Sequence, residues 1–218
     1  MNSKLGCAAA LVLLCLFSAP AGGDVRAQAK DAPKVEVGVQ FTSLTLSDGF
    51  RGSSSEPGVG GRITYNLTDH VALETQFDFF PDGERFRGSR SGGRIAQGLF
   101  GVKAGRRFEK FGVFGKVRPG FTSFAAGREE AILISPSPNF VFDFRPHRET
   151  HFATDVGAVL EFYPTRRIVT RFDAGDTIIR YGDTTRTFFD AAGTPQPFPM
   201  NGETRHNFQF SAGIGFRF

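Results

Sequence analysis

The sequence predicts an all-β protein that folds as an eight-stranded antiparallel up-and-down transmembrane β-barrel. Three observations predict this fold: a final strand that stays apolar on one face up to the last residue, eight segments in which apolar residues recur at every second position, and connections that are long and short in turn. A period of two is typical of a β-strand with two unlike faces. Strands of this kind can span lipid only as a closed barrel, because closure leaves no backbone group unpaired.

The final strand has the clearest alternation. Residues 206–218 read H-N-F-Q-F-S-A-G-I-G-F-R-F. One face of this strand holds Phe208, Phe210, Ala212, Ile214, Phe216 and Phe218. A chain end in water frays and gains little from a large apolar residue. The last strand of a membrane barrel instead pairs with the first strand and turns its outer face to lipid, so this ending favours a barrel in a bacterial outer membrane.

Residues 1–29 are predicted to be a cleaved signal peptide, which leaves residues 30–218 as the barrel domain. Lys4 supplies a positive start, residues 8–17 form an apolar run, and residues 27–29 match the A-x-A cleavage pattern. The apolar run is too short to cross a bilayer as a helix. The export signal therefore indicates a protein that leaves the cytoplasm and loses this segment.

The composition excludes several classes of protein. Both cysteines, Cys7 and Cys15, lie in the predicted signal peptide, so neither a disulfide nor a cysteine-based site is expected in the mature protein. The net charge is +4 without a basic run, so we expect no nucleic-acid partner. No stretch of eighteen apolar residues follows residue 29, so a membrane location requires a barrel.

Eight segments alternate in the manner of the final strand. In the first segment the apolar face includes Val37 and Phe41, and in the second it includes Ile63 and Tyr65. The third segment has Leu73 and Phe77 on that face, and the fourth has Phe100 and Val102. The next three place Val113 and Val117, Phe152 and Leu160, and Phe172 and Ala174 there. Each segment has about ten residues or more, which is enough for a tilted membrane strand. The predicted strands are 34–46, 58–67, 70–80, 94–105, 111–121, 151–163, 168–181 and 205–218.

Long and short connections alternate along the chain. Short connections at 68–69, 106–110 and 164–167 separate the long ones. Transmembrane barrels have long extracellular loops on one rim and short periplasmic turns on the other. The long connections are rich in Gly, Pro and Ser, which predicts solvated loops. They are 47–57, 81–93, 122–150 and 182–204.

Two further features concern the strands themselves. Pro119 cannot donate a ladder hydrogen bond, so the pairing of the fifth strand is expected to stop or bulge there.

Four glycines have the parity of the interior and are expected to leave space for long Arg and Lys side chains: Gly38, Gly101, Gly157 and Gly213.

Charged residues with the parity of the interior are the nearest feature to a functional site. An eight-stranded barrel has room inside for side chains only, and buried charges must be paired. We therefore predict an ion-pair network that fills the lumen and has a structural role, in preference to a catalytic or conducting one. The predicted lumen charge network comprises Arg62, Glu74, Asp78, Lys103, Lys116, Arg118, Asp155, Glu161, Arg171, Asp173 and Arg217.

The histidines are candidates for metal and catalytic roles. His147 and His151 lie near Asp143 and Glu149, but their spacing fits no standard ligand set, so no metal site or other cofactor is predicted. His206 could serve a Ser-His-acid site on the outer wall, as in lipid A deacylating barrels. Ser211 has the wrong parity for such a site and lies too deep, so we predict that the protein is not an enzyme.

Phenylalanines in the long connections suggest a second surface. The alternation in residues 139–144, N-F-V-F-D-F, indicates that the outer strands continue beyond the bilayer. An apolar patch there could bind a partner, and packing within the loops explains it equally well. The phenylalanines concerned are Phe50, Phe86, Phe140, Phe142, Phe144, Phe188, Phe189 and Phe198.

On residues 208–218, 101–105 and 115–120, the chain resembles the small outer-membrane β-barrel family, which includes the barrel domain of outer-membrane protein A. The resemblance implies insertion by the barrel assembly machinery, which in that family reads the terminal aromatic strand. It thus implies a membrane-insertion signal at Phe208, Phe210, Phe216 and Phe218, and no catalytic residue. The chain departs from the family in having no Trp for an interfacial girdle, which leaves Tyr65, Tyr163 and the many Phe.

The sequence therefore favours a non-enzymatic barrel of the bacterial outer membrane with a structural or surface-exposed role, in envelope integrity or in adhesion through its long loops. Its expected partners are outer-membrane lipid, the barrel assembly machinery during insertion and a possible surface ligand, and a monomer is expected. Two alternatives stay open. One is a small-solute pore, and the other is a soluble lipocalin-like carrier whose apolar faces point inward around a ligand.

Overall fold

The computed structural model describes residues 33–48, 52–81, 92–135, 141–190 and 194–218. The predicted signal peptide, residues 1–29, lies outside these ranges. None of the described residues belongs to a helix long and apolar enough to cross a membrane.

The described residues form ten strands, of which eight close into an antiparallel barrel. The strands are β1 (Val35–Asp48), β2 (Gly52–Asn66), β3 (Val71–Phe80), β4 (Ile95–Arg107), β5 (Phe111–Ser135), β6 (Val141–Phe162), β7 (Ile168–Tyr181), β8 (Thr184–Phe189), β9 (Pro195–Met200) and β10 (Glu203–Arg217). Each of β1–β7 pairs with its neighbour along the chain, and β10 pairs with both β7 and β1. The β1–β10 ladder runs from Glu36↔Arg217 to Thr45↔Phe208 and closes the barrel. The predicted fold class is confirmed.

The faces of the barrel follow the predicted parity. On β1, the outward Val39 and Phe41 are 64% and 76% exposed, whereas the inward Glu36 and Gln40 are buried. The same pattern of apolar outside and polar inside recurs around the sheet. The lipocalin-like alternative is therefore wrong, because a carrier of that type needs its apolar side chains inside.

Strands β5 and β6 are much longer than predicted, so the predicted loop 122–150 is wrong over most of its length. After an irregularity between Phe124 and Arg128, pairing resumes at Arg128↔His147 and continues to Ser135↔Val141. The two segments satisfy each other's backbone groups without help from the barrel. We call this two-stranded extension, residues 128–135 and 141–147, the ribbon. The predicted loop 47–57 is likewise too long, since β1 and β2 stay paired to Asp48↔Gly52.

The predicted loop 182–204 contains a separate hairpin. Strands β8 and β9 pair from Thr184↔Met200 to Phe189↔Pro195. The prolines of this segment predict a loop, yet Pro195, Pro197 and Pro199 occupy alternate positions of β9. The Asp190 N–H donates to the Thr194 carbonyl at 3.1 Å. Because hydrogen-bonded and non-hydrogen-bonded pairs alternate along an antiparallel ladder, the three prolines fall in non-hydrogen-bonded pairs, where the backbone nitrogen points away from β8. They therefore cost the hairpin no hydrogen bond.

Pro119 interrupts one ladder without ending its strand. Between β4 and β5 the pairs Leu99↔Gly120 and Val102↔Val117 keep one register, and the two positions between them are unpaired. On its other side Pro119 stays aligned with Thr154 of β6. The prediction that pairing stops or bulges at Pro119 therefore describes the β4 ladder, where two positions are unpaired, and the strand itself continues.

The interior has two layers of different chemistry. Toward the rim with the long connections lies an apolar layer of buried residues. This layer comprises Leu44, Leu46, Phe80, Ile95, Phe124, Ala153, Ile179 and Tyr181. Below it, toward the rim with the short turns, the interior is polar and charged. The apolar layer was not predicted, since parity alone suggested a polar lumen along its whole length.

Candidate functional site

All eleven residues of the predicted lumen charge network lie inside the barrel. Their exposed fractions range from 0 to 6%. Strands β2, β3, β4, β5, β6, β7 and β10 each contribute at least one of them, always at an inward position of the pleat. The barrel thus gathers charges that are up to 155 positions apart in the sequence, from Arg62 to Arg217.

Glu74 lies at the centre of the network between two arginines. The Arg171 guanidinium donates to both carboxylate oxygens, with 2.7 Å between Nη2 and Oε1. Arg118 Nη1 donates to the same Oε1 at 2.5 Å. Paired donors of this kind match the geometry of a carboxylate and form strong hydrogen bonds. Glu74 therefore holds β3, β5 and β7 together across the lumen.

A second group of contacts joins Arg118 and Lys116 to the two aspartates. Arg118 donates through Nε and Nη2 to Asp155 Oδ2 at 2.9 and 2.5 Å. Lys116 Nζ lies 2.6 Å from Asp155 Oδ2 and also contacts Asp173. Arg171 Nη2 donates to Asp173 Oδ2 at 2.7 Å, which connects this group to Glu74. Within this group the acidic and basic side chains alternate, and each of the two aspartates contacts at least two cations.

At the rim with the short turns, the network ends in contacts that the sequence did not suggest. Lys103 donates to Glu161, and Tyr163 donates to the other Glu161 oxygen at 3.0 Å while accepting from Arg107 Nε at 3.0 Å. Burial and the nearby Glu161 carboxylate raise the pKa of the Tyr163 hydroxyl, so it stays protonated. The suggested girdle role of Tyr163 is wrong, because its hydroxyl is turned into the network.

Glu36 completes this end of the network. Its Oε1 lies 3.2 Å from Arg217 Nε and 3.5 Å from Arg107 Nη2. Neither Glu36 nor Arg107 was in the predicted set. Glu36 has the inward parity and could have been found by the same rule, whereas Arg107 lies where β4 ends and parity is least informative.

Two members of the predicted network are held by amides rather than by opposite charges. Asp78 accepts from Gln40 at 2.9 Å, Gln76 at 2.6 Å and Gln209 at 3.2 Å. Within the described part of the chain Arg62 has no carboxylate within 4.0 Å, and its Nη1 donates to Gln40 at 3.4 Å. The predicted network contains charged residues only and therefore does not include these three glutamines.

The inward glycines have two different functions. A Cβ at Gly38 would lie 2.9 Å from the Ile214 carbonyl oxygen and 3.1 Å from the Arg62 guanidinium carbon, so Gly38 allows a neighbouring strand to approach and also makes the predicted space for a long side chain. A Cβ at Gly101 would lie 2.1 Å from the Val117 carbonyl oxygen. Gly157 and Gly213 likewise lie against backbone atoms. For these three the prediction is wrong, since they allow close approach of neighbouring strands.

The four terminal phenylalanines lie on the outer face of β10. Phe208, Phe210, Phe216 and Phe218 are all exposed on the apolar face. The end of the chain is fixed by backbone hydrogen bonds, from Arg217 N–H to the Arg167 carbonyl at 2.8 Å and from Phe218 N–H to the Val35 carbonyl at 2.9 Å. The last residue is thus held by the first strand.

The histidines lie in three different settings. His151 is buried inside β6 against Tyr181, with 4.5 Å between ring centroids, while His147 is exposed on the ribbon. No group of His, Cys, Asp and Glu suited to a metal occurs among the described residues. His206 faces outward with its Nδ1 2.5 Å from Asp176 Oδ2. Ser211 faces inward and donates to Thr42 at 3.0 Å, so the structure does not bring Ser211 and His206 together.

The phenylalanines of the long connections are only partly placed. Phe50, Phe86 and Phe140 lie outside the described residues. Phe142, Phe144, Phe188 and Phe189 lie on strands of the ribbon and the hairpin. Phe198 on β9 is exposed.

Comparison with known proteins agrees with this geometry. Neisserial surface protein A is 12% identical, with 87% of this chain and 100% of that chain covered and a TM-score of 0.51. The N-terminal β-barrel domain of Pseudomonas aeruginosa OprF is 15% identical, with coverages of 84% and 97% and a TM-score of 0.42. Ail, the attachment invasion locus protein of Yersinia pestis, is 15% identical, with coverages of 84% and 96% and a TM-score of 0.42.

At 12% identity, Neisserial surface protein A shows a shared fold only. No curated protein sequence matches the chain. The family model of the outer membrane protein beta-barrel domain matches residues 8–218, which is nearly the whole chain. The resemblance inferred from the sequence is confirmed. The chain belongs to the outer membrane protein beta-barrel domain family and is an integral protein of the bacterial outer membrane.

Proposed function

We propose that this protein is a non-enzymatic, non-conducting barrel that anchors a surface-exposed ribbon in the outer membrane, with a role in envelope integrity or in adhesion. The observation that carries the proposal is the pairing of β5 with β6 out to Ser135↔Val141. The last β4–β5 pair is Ile95↔Phe124. The β5 strand therefore continues for eleven residues past its barrel partner, or about 35 Å at roughly 3.3 Å per residue.

A closed lumen supports the structural part of this proposal. The lumen charge network fills the lower interior with paired side chains, and the apolar layer fills the interior above it. Buried charges that are paired in this way are costly to separate. The alternative of a small-solute pore requires a water-filled path through both layers.

The test of the surface role removes the ribbon and keeps the barrel. Replacing residues 128–147 by Asn-Gly joins Gly127 to Arg148 through a two-residue turn, the commonest hairpin connection. We expect the variant to keep the heat-dependent gel shift of a closed barrel. We also expect cells that carry it to lose binding to immobilised extracellular-matrix proteins and glycosaminoglycans.

A matched control replaces the β8–β9 hairpin, residues 184–200, by a short Gly-Ser linker. This variant tests whether any loss of extracellular structure has the same effect. The envelope role is measured separately, as the detergent sensitivity of cells that lack the protein. Two results together would contradict the proposal. Cells with the wild-type protein would bind these surfaces no better than cells without it, and deletion of the protein would leave detergent sensitivity unchanged.

The partners follow from the same proposal. Outer-membrane lipid surrounds the exposed apolar belt, as the family requires. Insertion by the barrel assembly machinery is supported by the exposed Phe208, Phe210, Phe216 and Phe218 on the strand that closes the barrel. A monomer is supported by closure within one chain, which leaves no barrel edge for a second copy. Cleavage after residue 29 would be shown by a mature protein whose first residue is Lys30.

A further inference from the structure

One buried histidine lies where the ribbon joins the barrel. We call residues 124–127 of β5 and 148–151 of β6 the ribbon root. Below the root, β6 pairs with β7 up to Phe152↔Arg180. Among the described strands, only β5 pairs with β6 in the root itself, and the register of that pairing shifts after Phe124↔Glu149. All four histidines are described, and His151 in the root is the one that is buried. A part of the sheet with one paired neighbour thus contains a buried titratable group.

His151 lies against a carboxylate and two aromatic rings. Its Nε2 is 3.4 Å from Glu149 Oε2, and the two side chains are only 8% and 18% exposed. Its ring centroid is 4.5 Å from that of Tyr181 and 6.0 Å from that of Phe124. No hydrogen bond to Glu149 Oε2 occurs within the described part of the chain. A proton on His151 therefore gives this oxygen a cationic neighbour, and the face of the Tyr181 ring also attracts a cation.

Other charged groups share a cavity with this pair. The cavity has a volume of about 450 Å³, and besides Glu149 and His151 it is lined by His147, Arg148, Arg180 and Asp183. His147 and the two arginines are exposed, so water and salt screen their repulsion of a charge on His151. Asp183 already accepts from the Gly202 N–H at 2.6 Å. Glu149, at 3.4 Å and largely shielded from water, therefore acts on His151 more strongly than these exposed groups do.

On the neighbouring strands, the groups that face His151 are mostly uncharged. Thr122 and Phe124 lie beside it on β5, where Thr122 is its register partner. On β10, Arg205 Cζ is 5.2 Å from the centroid of the Tyr181 ring, and Arg205 Nη2 is 2.6 Å from Glu203 Oε1. The charge of Arg205 is therefore largely compensated by Glu203.

We propose that His151 makes the ribbon root a pH-sensitive joint, which closes more firmly when the imidazole is protonated. In the closed root an imidazolium lies beside Glu149 and Tyr181, whereas in an opened root water surrounds all three. The closed root therefore binds the proton more tightly, so protons stabilise it and this stabilisation is lost as the pH rises. Histidine changes charge between about pH 5 and 8. The inference rests on the proposed role of the ribbon, because the joint sets how steadily the ribbon is held above the membrane.

The test measures local opening of the root at two pH values. Amide hydrogen exchange, followed by NMR on the folded protein in dodecylphosphocholine micelles, gives a protection factor from which the intrinsic pH dependence of exchange is divided out. We expect the root amides to be about 5-fold better protected at about pH 5.5 than at about pH 7.5, which corresponds to about 1 kcal/mol for the ion pair. Amides near Val39 in the β1–β10 ladder are the internal reference. Equal protection of the root amides at both pH values would overturn the proposal.

Two variants each remove one member of the pair. His151→Gln keeps a polar side chain that does not titrate, and it is expected to abolish the pH effect. Glu149→Gln is expected to remove the gain in protection at low pH, because a proton on His151 then lacks its carboxylate. A pH effect of wild-type size in either variant assigns the effect to another group, and the proposal is then wrong. A heat-dependent gel shift verifies that each variant forms a closed barrel.

The matched control is His147→Gln, which removes an exposed histidine from the ribbon on the same strand. This variant is expected to keep the pH effect of the wild type, and loss of the effect here but not in His151→Gln would also overturn the proposal. The measurement uses no adhesive partner. A missing pH response therefore counts against this inference alone, whereas the surface role is tested by the ribbon deletion.

Discussion

The two layers of the barrel interior obey the same parity rule and are built from opposite chemistry. In the lower layer, Glu74, Arg118 and Arg171 are joined by hydrogen bonds that are directional and charge-assisted. In the upper layer, Leu44, Phe80 and Phe124 are fully buried apolar side chains that pack together. The comparison teaches that an inward position demands burial and does not by itself demand polarity. The two layers should therefore respond differently to truncation.

The largest effect is expected in the charged layer. The Glu74→Ala substitution leaves two buried guanidinium groups without their shared carboxylate, and breaking a buried ion pair costs about 3–5 kcal/mol. The free energy of unfolding in phospholipid vesicles, measured by guanidinium titration, should fall by that amount. Glu109→Ala in an exposed turn is the control, with a change within about 0.5 kcal/mol. A loss below about 1 kcal/mol for Glu74→Ala would show that water or the remaining acids replace its carboxylate.

A somewhat smaller effect is expected in the apolar layer. Leu44→Ala creates a cavity among fully buried side chains, at a cost of about 3 kcal/mol. Val39→Ala on the same strand is the matched control, because lipid fills the space left on the outer face. Equal losses for Leu44→Ala and Val39→Ala in the same unfolding titration would mean that the upper layer is not packed to native density.

The outer face provides a third comparison. Phe216→Asp places a carboxylate in the lipid-facing belt, where a charge of this kind costs less than the roughly 2–4 kcal/mol of an Arg or Lys at the midplane. We expect a loss of about 1–2 kcal/mol and a reduced outer-membrane yield, with a similar reduction in yield on deletion of Phe218. Phe108→Asp at a short turn is the control. Normal yields of both β10 variants, measured by quantitative blotting of outer membranes, would contradict an insertion signal in this strand.

The smallest effect is expected for an ion pair at the surface. Arg205 Nη2 lies 2.6 Å from Glu203 Oε1, but the glutamate is 44% exposed. Pairs of this kind contribute about 0–1 kcal/mol. Glu203→Gln should change the free energy of unfolding by no more than about 0.5 kcal/mol. A loss close to that of Glu74→Ala would mean that burial is not what separates the two charge pairs.

The sequence was sufficient to predict the barrel and the inward charges, because both follow from a period of two. Glu74, Arg118 and Arg171 could be placed inside without knowing which strands neighbour one another. Their partners could not, since pairing depends on register across the sheet. Asp78 shows the difference: parity placed it correctly, yet three glutamines rather than a cation hold it.

Most of the structure that could not be predicted from the sequence lies above the bilayer. There the outer face no longer meets lipid, so a paired strand need not alternate between apolar and polar residues. Residues 122–150 are therefore predicted as a loop, with only the alternation of residues 139–144 indicating a longer strand, although β5 and β6 pair to Ser135↔Val141. Tyr163 was misplaced for a different reason, because at the end of a strand the side chain can turn to either face.

The prolines of β9 have a consequence for neighbouring molecules on the cell surface. A hairpin outside the membrane offers open strand edges to water, and such edges recruit further strands into growing sheets. Along the outer edge of β9, Pro195, Pro197 and Pro199 remove the amide donors that an incoming strand would need. This edge of β9 therefore disfavours pairing with a further strand, including one from a neighbouring copy of the protein.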